Sequence, residues 1–116
     1  MIELTAEEIE FRDRLWAKGG IVEGINPDLA RKDACGAWIF LRGYRDFTDP
    51  YGWDIDHINP ALRNNTDEPE ENLRPMHVKN IESKGNSYPV YFSAVTADGV
   101  DNIRRRREMF IYNIES

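Results

Sequence analysis

Residues 53–58 read Trp-Asp-Ile-Asp-His-Ile, in which Trp53, Ile55 and His57 alternate with the two carboxylates. That is the two-residue period of a strand. Asp49-Pro50-Tyr51-Gly52 is turn chemistry ahead of it, and Asn59-Pro60 ends it, because proline has no N–H for a ladder and disfavours helix at its predecessor. Asp56 and His57 are neighbours in this strand, so their side chains leave opposite faces of the pleat. A polar loop follows through Glu71; Asn72 to Met76 supplies a short second arm, and His77 to Lys84 reads as a helical turn or two before Gly85.

Other elements surround this centre. Thr5-Ala6-Glu7-Glu8 matches a capping box, and Ile9, Leu15 and Trp16 carry roughly helical spacing, so a helix is expected over 6–18 with Gly19-Gly20 as its stop. Asn26-Pro27-Asp28 opens a turn or short helix ending near Lys32, and the run from Ala34 to Phe40 suits a buried strand. Tyr88 to Phe92 is extended and apolar. A final element covers about 101–114 as helix or strand; Ile103, Phe110 and Ile114 are compatible with helix. With 116 residues, no repeat and no low-complexity tract, the expectation is one α+β domain spanning 1–116.

Composition narrows the function classes. No apolar run approaches a membrane span, and Met1-Ile2-Glu3 begins nothing like a signal peptide, so a cytoplasmic protein without a membrane partner is expected. The single cysteine, Cys35, excludes an internal disulfide and a Cys-based zinc site. Fifteen Lys+Arg against 21 Asp+Glu give a formal charge of −6, which repels polyphosphate on average. DNA binding therefore requires the positive groups to be gathered on one face. Arg104, Arg105, Arg106 and Arg107 are the one dense basic run; they offer phosphate contacts or, in the plainer reading, a solvated or oligomer-forming face. Trp38, Tyr51 and Trp53 are core aromatics or, if they line a cleft, surfaces on which a base stacks.

A carboxylate and an imidazole at adjacent strand positions are able to divide the labour of phosphodiester hydrolysis. The carboxylate holds a hard cation and the imidazole takes a proton from water. An isolated Asp-His pair is more often a structural hydrogen bond, so the surrounding residues decide its weight.

Those residues are Tyr51 to Pro60, then Glu71-Asn72-Leu73-Arg74-Pro75-Met76-His77, then Asn80 and Ser83-Lys84-Gly85. In this order and spacing they resemble the HNH endonuclease signature, and with the lead-in Arg31 to Ala37 the resemblance covers about 29–90. It implies a ββα unit, a β-hairpin plus short helix, to which the N-terminal helix and C-terminal element are added. It further implies Asp56 as a metal ligand for Mg²⁺ or Mn²⁺, His57 as the general base, and Asn72 as the residue that fixes the loop between the hairpin arms. His77 stands where many relatives begin a zinc knuckle; without nearby cysteines structural zinc is not expected, and a packing or capping role is the simpler one.

The departure is at Ile81, where the family places its second metal ligand three residues before the lysine. A hydrocarbon side chain offers no lone pair. Asn80, one position away, or Asp54, on the same strand face as Asp56, are the possible replacements. Two outcomes stay open. One is a metal-dependent endonuclease acting on DNA in a phage or mobile-element setting. The other is a pseudoenzyme, an HNH scaffold that binds nucleic acid, a nucleotide or a partner protein, with Lys84 and the arginine run as phosphate contacts.

Overall fold

The computed structural model describes residues 3–112. Helix α1 (Ala6–Trp16) starts at Thr5, whose hydroxyl accepts from the Glu8 backbone N–H at 3.1 Å while the Glu8 carboxylate accepts from the Thr5 N–H at 2.8 Å. This reciprocal pair satisfies two of the amides that a helix start leaves orphaned. The helix ends at Trp16 rather than 18, and Gly20 is drawn instead into a bridge with Lys32.

Strands β1 (Ala30–Lys32) and β2 (Trp38–Phe40) form an antiparallel pair. The strand expected over 34–40 is thus shorter, and of the turn or short helix expected from Asn26 to near Lys32 the structure shows a turn, followed by β1. The cause is Asp33, whose Oδ1 accepts from both the Cys35 and Ala37 amides at 2.9 Å. That draws 33–37 into a tight turn with Gly36 at φ +81°, a conformation that costs glycine nothing.

Strands β3 (Trp53–His57) and β4 (Leu73–His77) pair antiparallel, with Asp56 opposite Arg74 and His57 opposite Leu73; helix α2 (Val78–Lys84) follows at once. Trp53 is fully enclosed with Leu15, Trp16 and Ile39, and so ties α1 and β2 to the hairpin. A second cluster of Cys35, Met76 and Tyr91, with Ile81 packed against it, lies under α2.

The C-terminal part is all strand: β5 (Val90–Phe92), β6 (Val95–Asp98), β7 (Asp101–Arg104) and β8 (Glu108–Phe110), paired β6 with β7 and β5 with β8. The helical alternative for 101–114 is therefore corrected, for the described residues. Gly99, at φ +64°, turns the chain back between Asp98 and Asp101, so Ile103 pairs with Thr96 rather than facing a helical neighbour. Ile114 lies outside the described residues. Among those described, the fold is a mixed α+β domain of two helices and four small antiparallel sheets, and no helix is long and apolar enough to cross a membrane.

Candidate functional site: the hairpin–helix junction

Asp56 sits near the end of β3 with its carboxylate enclosed, 3% exposed. Two cations share it. The Arg74 Nε donates to Oδ2 at 2.7 Å from the facing position on β4, and the Lys84 ammonium stands 3.3 Å from Oδ1 at the last turn of α2. Lys84 is itself only 1% exposed and also donates to the His57 carbonyl at 3.0 Å. Lys84 thus reaches back from the end of α2 to the end of β3 and fixes the helix on the hairpin. Arg74 continues to the Tyr91 hydroxyl at 3.3 Å. Burial opposes the Arg74 charge, but the Asp56 carboxylate outweighs it and holds the guanidinium pKa above its ordinary value. Beside them Cys35 is inert: burial pushes its thiol up to about 11.

His57 leaves the opposite face. Its Nδ1 lies 2.7 Å from the Glu68 carboxylate, which belongs to the loop between the hairpin arms. The same carboxylate oxygen accepts from the Asn72 amide at 2.7 Å. The hydrogen bond from His57 holds the Glu68 pKa below the usual carboxylate range; desolvation opposes it, and the hydrogen bond from Asn72 adds to the lowering. Asn72 is buried, and its side chain closes a ring with Asn59: Nδ2 donates to the Asn59 carbonyl at 3.1 Å and Oδ1 accepts from the Asn59 N–H at 2.9 Å. Asn72 therefore reaches His57 through Glu68. When the ring is neutral with Nδ1–H on this carboxylate, Nε2 carries the lone pair that a proton acceptor needs.

The two replacement ligands are committed elsewhere. Asn80 is fully enclosed and makes four hydrogen bonds, donating to Asp33 Oδ2 (3.0 Å) and the Val95 carbonyl (3.1 Å) and accepting from the Ala94 (2.7 Å) and Val95 (2.9 Å) amides. A carboxamide has no further capacity for a metal. It fastens α2 to the chain entering β6. Asp54 accepts from the Ile55 N–H at 2.7 Å and lies 3.7 Å from the Arg45 guanidinium. Ile81 packs into the Cys35–Met76–Tyr91 cluster. Among the described residues no three His, Cys, Asp or Glu side chains are grouped to hold an ion. An Mg²⁺ or Mn²⁺ at Asp56 would have to displace two cations from a buried carboxylate, so the residues present do not fit that ion.

His77 caps α2: its Nδ1 accepts from the Lys79 N–H at 3.0 Å and its Nε2–H donates to the Pro50 carbonyl at 2.8 Å. This is the neutral tautomer, in keeping with a pKa that burial lowers. All four residues of the arginine run are exposed; Arg107 donates to the Cys35 carbonyl at 3.0 Å and braces the 33–37 turn, and Arg106 lies over the Phe92 ring at 3.7 Å. Trp53 is core, and Tyr51 stacks on Phe40 with ring centroids 4.0 Å apart. The sequence singled out Asp56, His57 and Asn72, but not Glu68 or Arg74 as their partners. Glu68 is one of several acids in a polar loop without periodicity, while Arg74 was detectable in principle, facing Asp56 in the register that the hairpin imposes. Comparison with family models, curated proteins and solved structures gives no match.

Proposed function

We propose that the chain is an HNH-type ββα scaffold in which Lys84 and Arg74 have taken the place of the divalent cation. In this reading it is a pseudoenzyme that binds a phosphate-bearing ligand, a nucleic acid or nucleotide, without hydrolysing it through a metal. The observation that carries the proposal is the buried Asp56 carboxylate shared by two cations. One carboxylate against two cations leaves a positive charge in excess at the position where the metal's charge would be. Such an excess favours phosphate and disfavours Mg²⁺. Arg74 is the cation of the pair with access to solvent, at 18% side-chain exposure.

The test is calorimetric titration with Mg²⁺ and Mn²⁺, together with anisotropy of labelled single- and double-stranded oligonucleotides and a labelled nucleotide. The expected result is no metal binding tighter than about 1 mM, and ligand binding that EDTA leaves unchanged and salt weakens. Absence of binding to every phosphate ligand, or metal-dependent cleavage that His57→Ala abolishes, would overturn it.

A second reading, an endonuclease acting on DNA with Mg²⁺ or Mn²⁺, is favoured by one observation: the His57–Glu68 pair keeps an imidazole oriented as a base. Its mark would be DNA nicking that requires both added metal and His57.

A further inference from the structure

A site unrelated to the hairpin–helix junction lies on the N-terminal side of the fold. A groove of about 560 Å³ opens between the 25–30 turn and β2. Its walls are Ile25, Leu29, Trp38, Phe40 and Leu41, with Val100 at one side. The volume falls within the roughly 300–1,000 Å³ of small-molecule sites. Leu29 and Val100 are 64% and 76% exposed, so the apolar surface faces water rather than the core.

A second cavity, about 130 Å³, adjoins it and shares Arg12, Leu41 and Arg42 with it. The remaining walls are Leu4, Tyr44 and Arg45. Among the described residues, three arginines and no carboxylate line this smaller cavity, in a chain whose formal charge is −6, and a single carboxylate, Asp28, lines the groove. The arginines keep donors to spare. Arg42 and Arg45 stand 3.6 Å and 3.7 Å from Asp49 and Asp54, beyond hydrogen-bond length, with side chains 67% and 43% exposed. Arg12 donates to Asp13 through Nε and Nη2, and among the described residues its Nη1 has no partner. No residue of β3, β4 or α2 lines either space.

We propose that groove and cavity form one binding site for a small amphipathic anion. Its apolar chain or ring fills the groove, and its carboxylate or phosphate head lies among Arg12, Arg42 and Arg45. Apolar burial supplies the affinity and the guanidinium fork selects the anionic head. The groove walls offer few polar partners for the edges of a nucleobase, which sets this ligand apart from a nucleotide.

The test uses the whole chain and four ten-carbon probes: decanoate, decyl phosphate, decanol and decyltrimethylammonium, followed by amide chemical shifts. Saturable binding of an anion, at least about tenfold tighter than decanol, with shifts confined to residues near 4, 12, 25–30 and 38–45, supports the site. The preferred anion identifies the head. The double substitution Arg42→Ala/Arg45→Ala, at exposed positions, should remove the preference for the anion, read as the ratio of anion to decanol affinity, whereas Leu29→Asp should weaken every probe. Equal binding of decanol or of the cation, shifts located elsewhere, or no saturable binding below about 1 mM would overturn the proposal. None of these results depends on whether the junction at Asp56 binds phosphate.

Discussion

The ammonium of Lys84 stands 3.3 Å from the Asp56 carboxylate, and both side chains are almost wholly enclosed. A buried pair of this kind adds little net stability relative to hydrocarbon, but breaking it leaves a charge without its counter-charge. Lys84→Met should therefore destabilise the domain by about 3 kcal/mol, read as a lower urea midpoint. Asp56→Asn should cost at least as much, because it strands Lys84 and weakens the hold on Arg74. The double substitution Asp56→Leu/Lys84→Met should lose clearly less than the sum of the two. Additive losses would mean that the pair is not coupled.

Asn80 gives the sharpest separation of a structural role from a ligand role. Its carboxamide pairs with the Ala94 and Val95 amides, the Val95 carbonyl and the Asp33 carboxylate in the interior. Asn80→Ala should destabilise by about 3 kcal/mol or more, since its four hydrogen bonds are lost together. Denaturation of the variant measures this. A loss below about 0.5 kcal/mol, within the range of ordinary surface substitutions, would contradict the hydrogen-bond geometry.

Much of the hairpin and helix was legible because the relevant signals are local: the alternation of 53–58, the Asn59-Pro60 break and Gly85 after the helix. Strands β1 and β2 were harder to see. Each has three residues, too few to show a period, and the turn between them is held by the Asp33 carboxylate, which also accepts from the His77 N–H 2.9 Å away. The C-terminal strands were ambiguous because Ile103 and Phe110 satisfy either periodicity, and their pairing partners, Thr96 and Val90, are chosen by tertiary contact. At the site, the residue types were readable but their pairing was not. The sequence reads Lys84 as a phosphate contact, and its pairing with Asp56 comes only from its enclosure beside that carboxylate.

His77 sets a pH dependence whose sign follows from its lowered pKa. The folded state holds the ring neutral, with Nδ1 accepting from Lys79; the unfolded chain protonates near its ordinary value of 6.5. Between that value and the lower folded pKa the unfolded state binds more protons, so this contribution is intact above the ordinary value and is lost as the pH falls. Urea midpoints compared at about pH 7.5 and 5.5, either side of the ordinary histidine value, should show the loss. His77→Asn, which retains an N-cap acceptor, should flatten it. An unchanged slope in the variant would assign the dependence to another group.

Glu68 predicts a second acid effect, localised at the loop. Its carboxylate is held below the usual range by His57 and then by Asn72, so that link persists above the ordinary carboxylate range and opens as the pH falls through the depressed folded pKa. Carbon-detected titration of the Glu68 carboxyl should show the low midpoint. Glu68→Gln should change the His57 ring resonances while leaving those of His77 in place. A Glu68 midpoint at or above that of an exposed glutamate would show that the pair does not persist in solution.

On the proposed reading, the hydrocarbon at Ile81 and the ammonium of Lys84 make different predictions for metal binding. If Ile81 were the only obstacle, Ile81→Asn alone would create Mn²⁺ affinity. With Lys84 at 3.3 Å and Arg74 at 2.7 Å from the same carboxylate, the single substitution supplies an oxygen ligand but leaves Asp56 neutralised. Ile81→Asn should therefore bind no Mn²⁺ beyond the unmodified chain. Ile81→Asn/Lys84→Ala should gain measurable affinity, because removal of the ammonium frees Oδ1 and the charge that the ion requires. Paramagnetic broadening of resonances around Asp56 by Mn²⁺ provides the readout, with the urea midpoint of each variant recorded to confirm that it is folded. Broadening in the single variant would show that Ile81 alone bars the ion; broadening only in the double variant would show that Lys84 bars it as well.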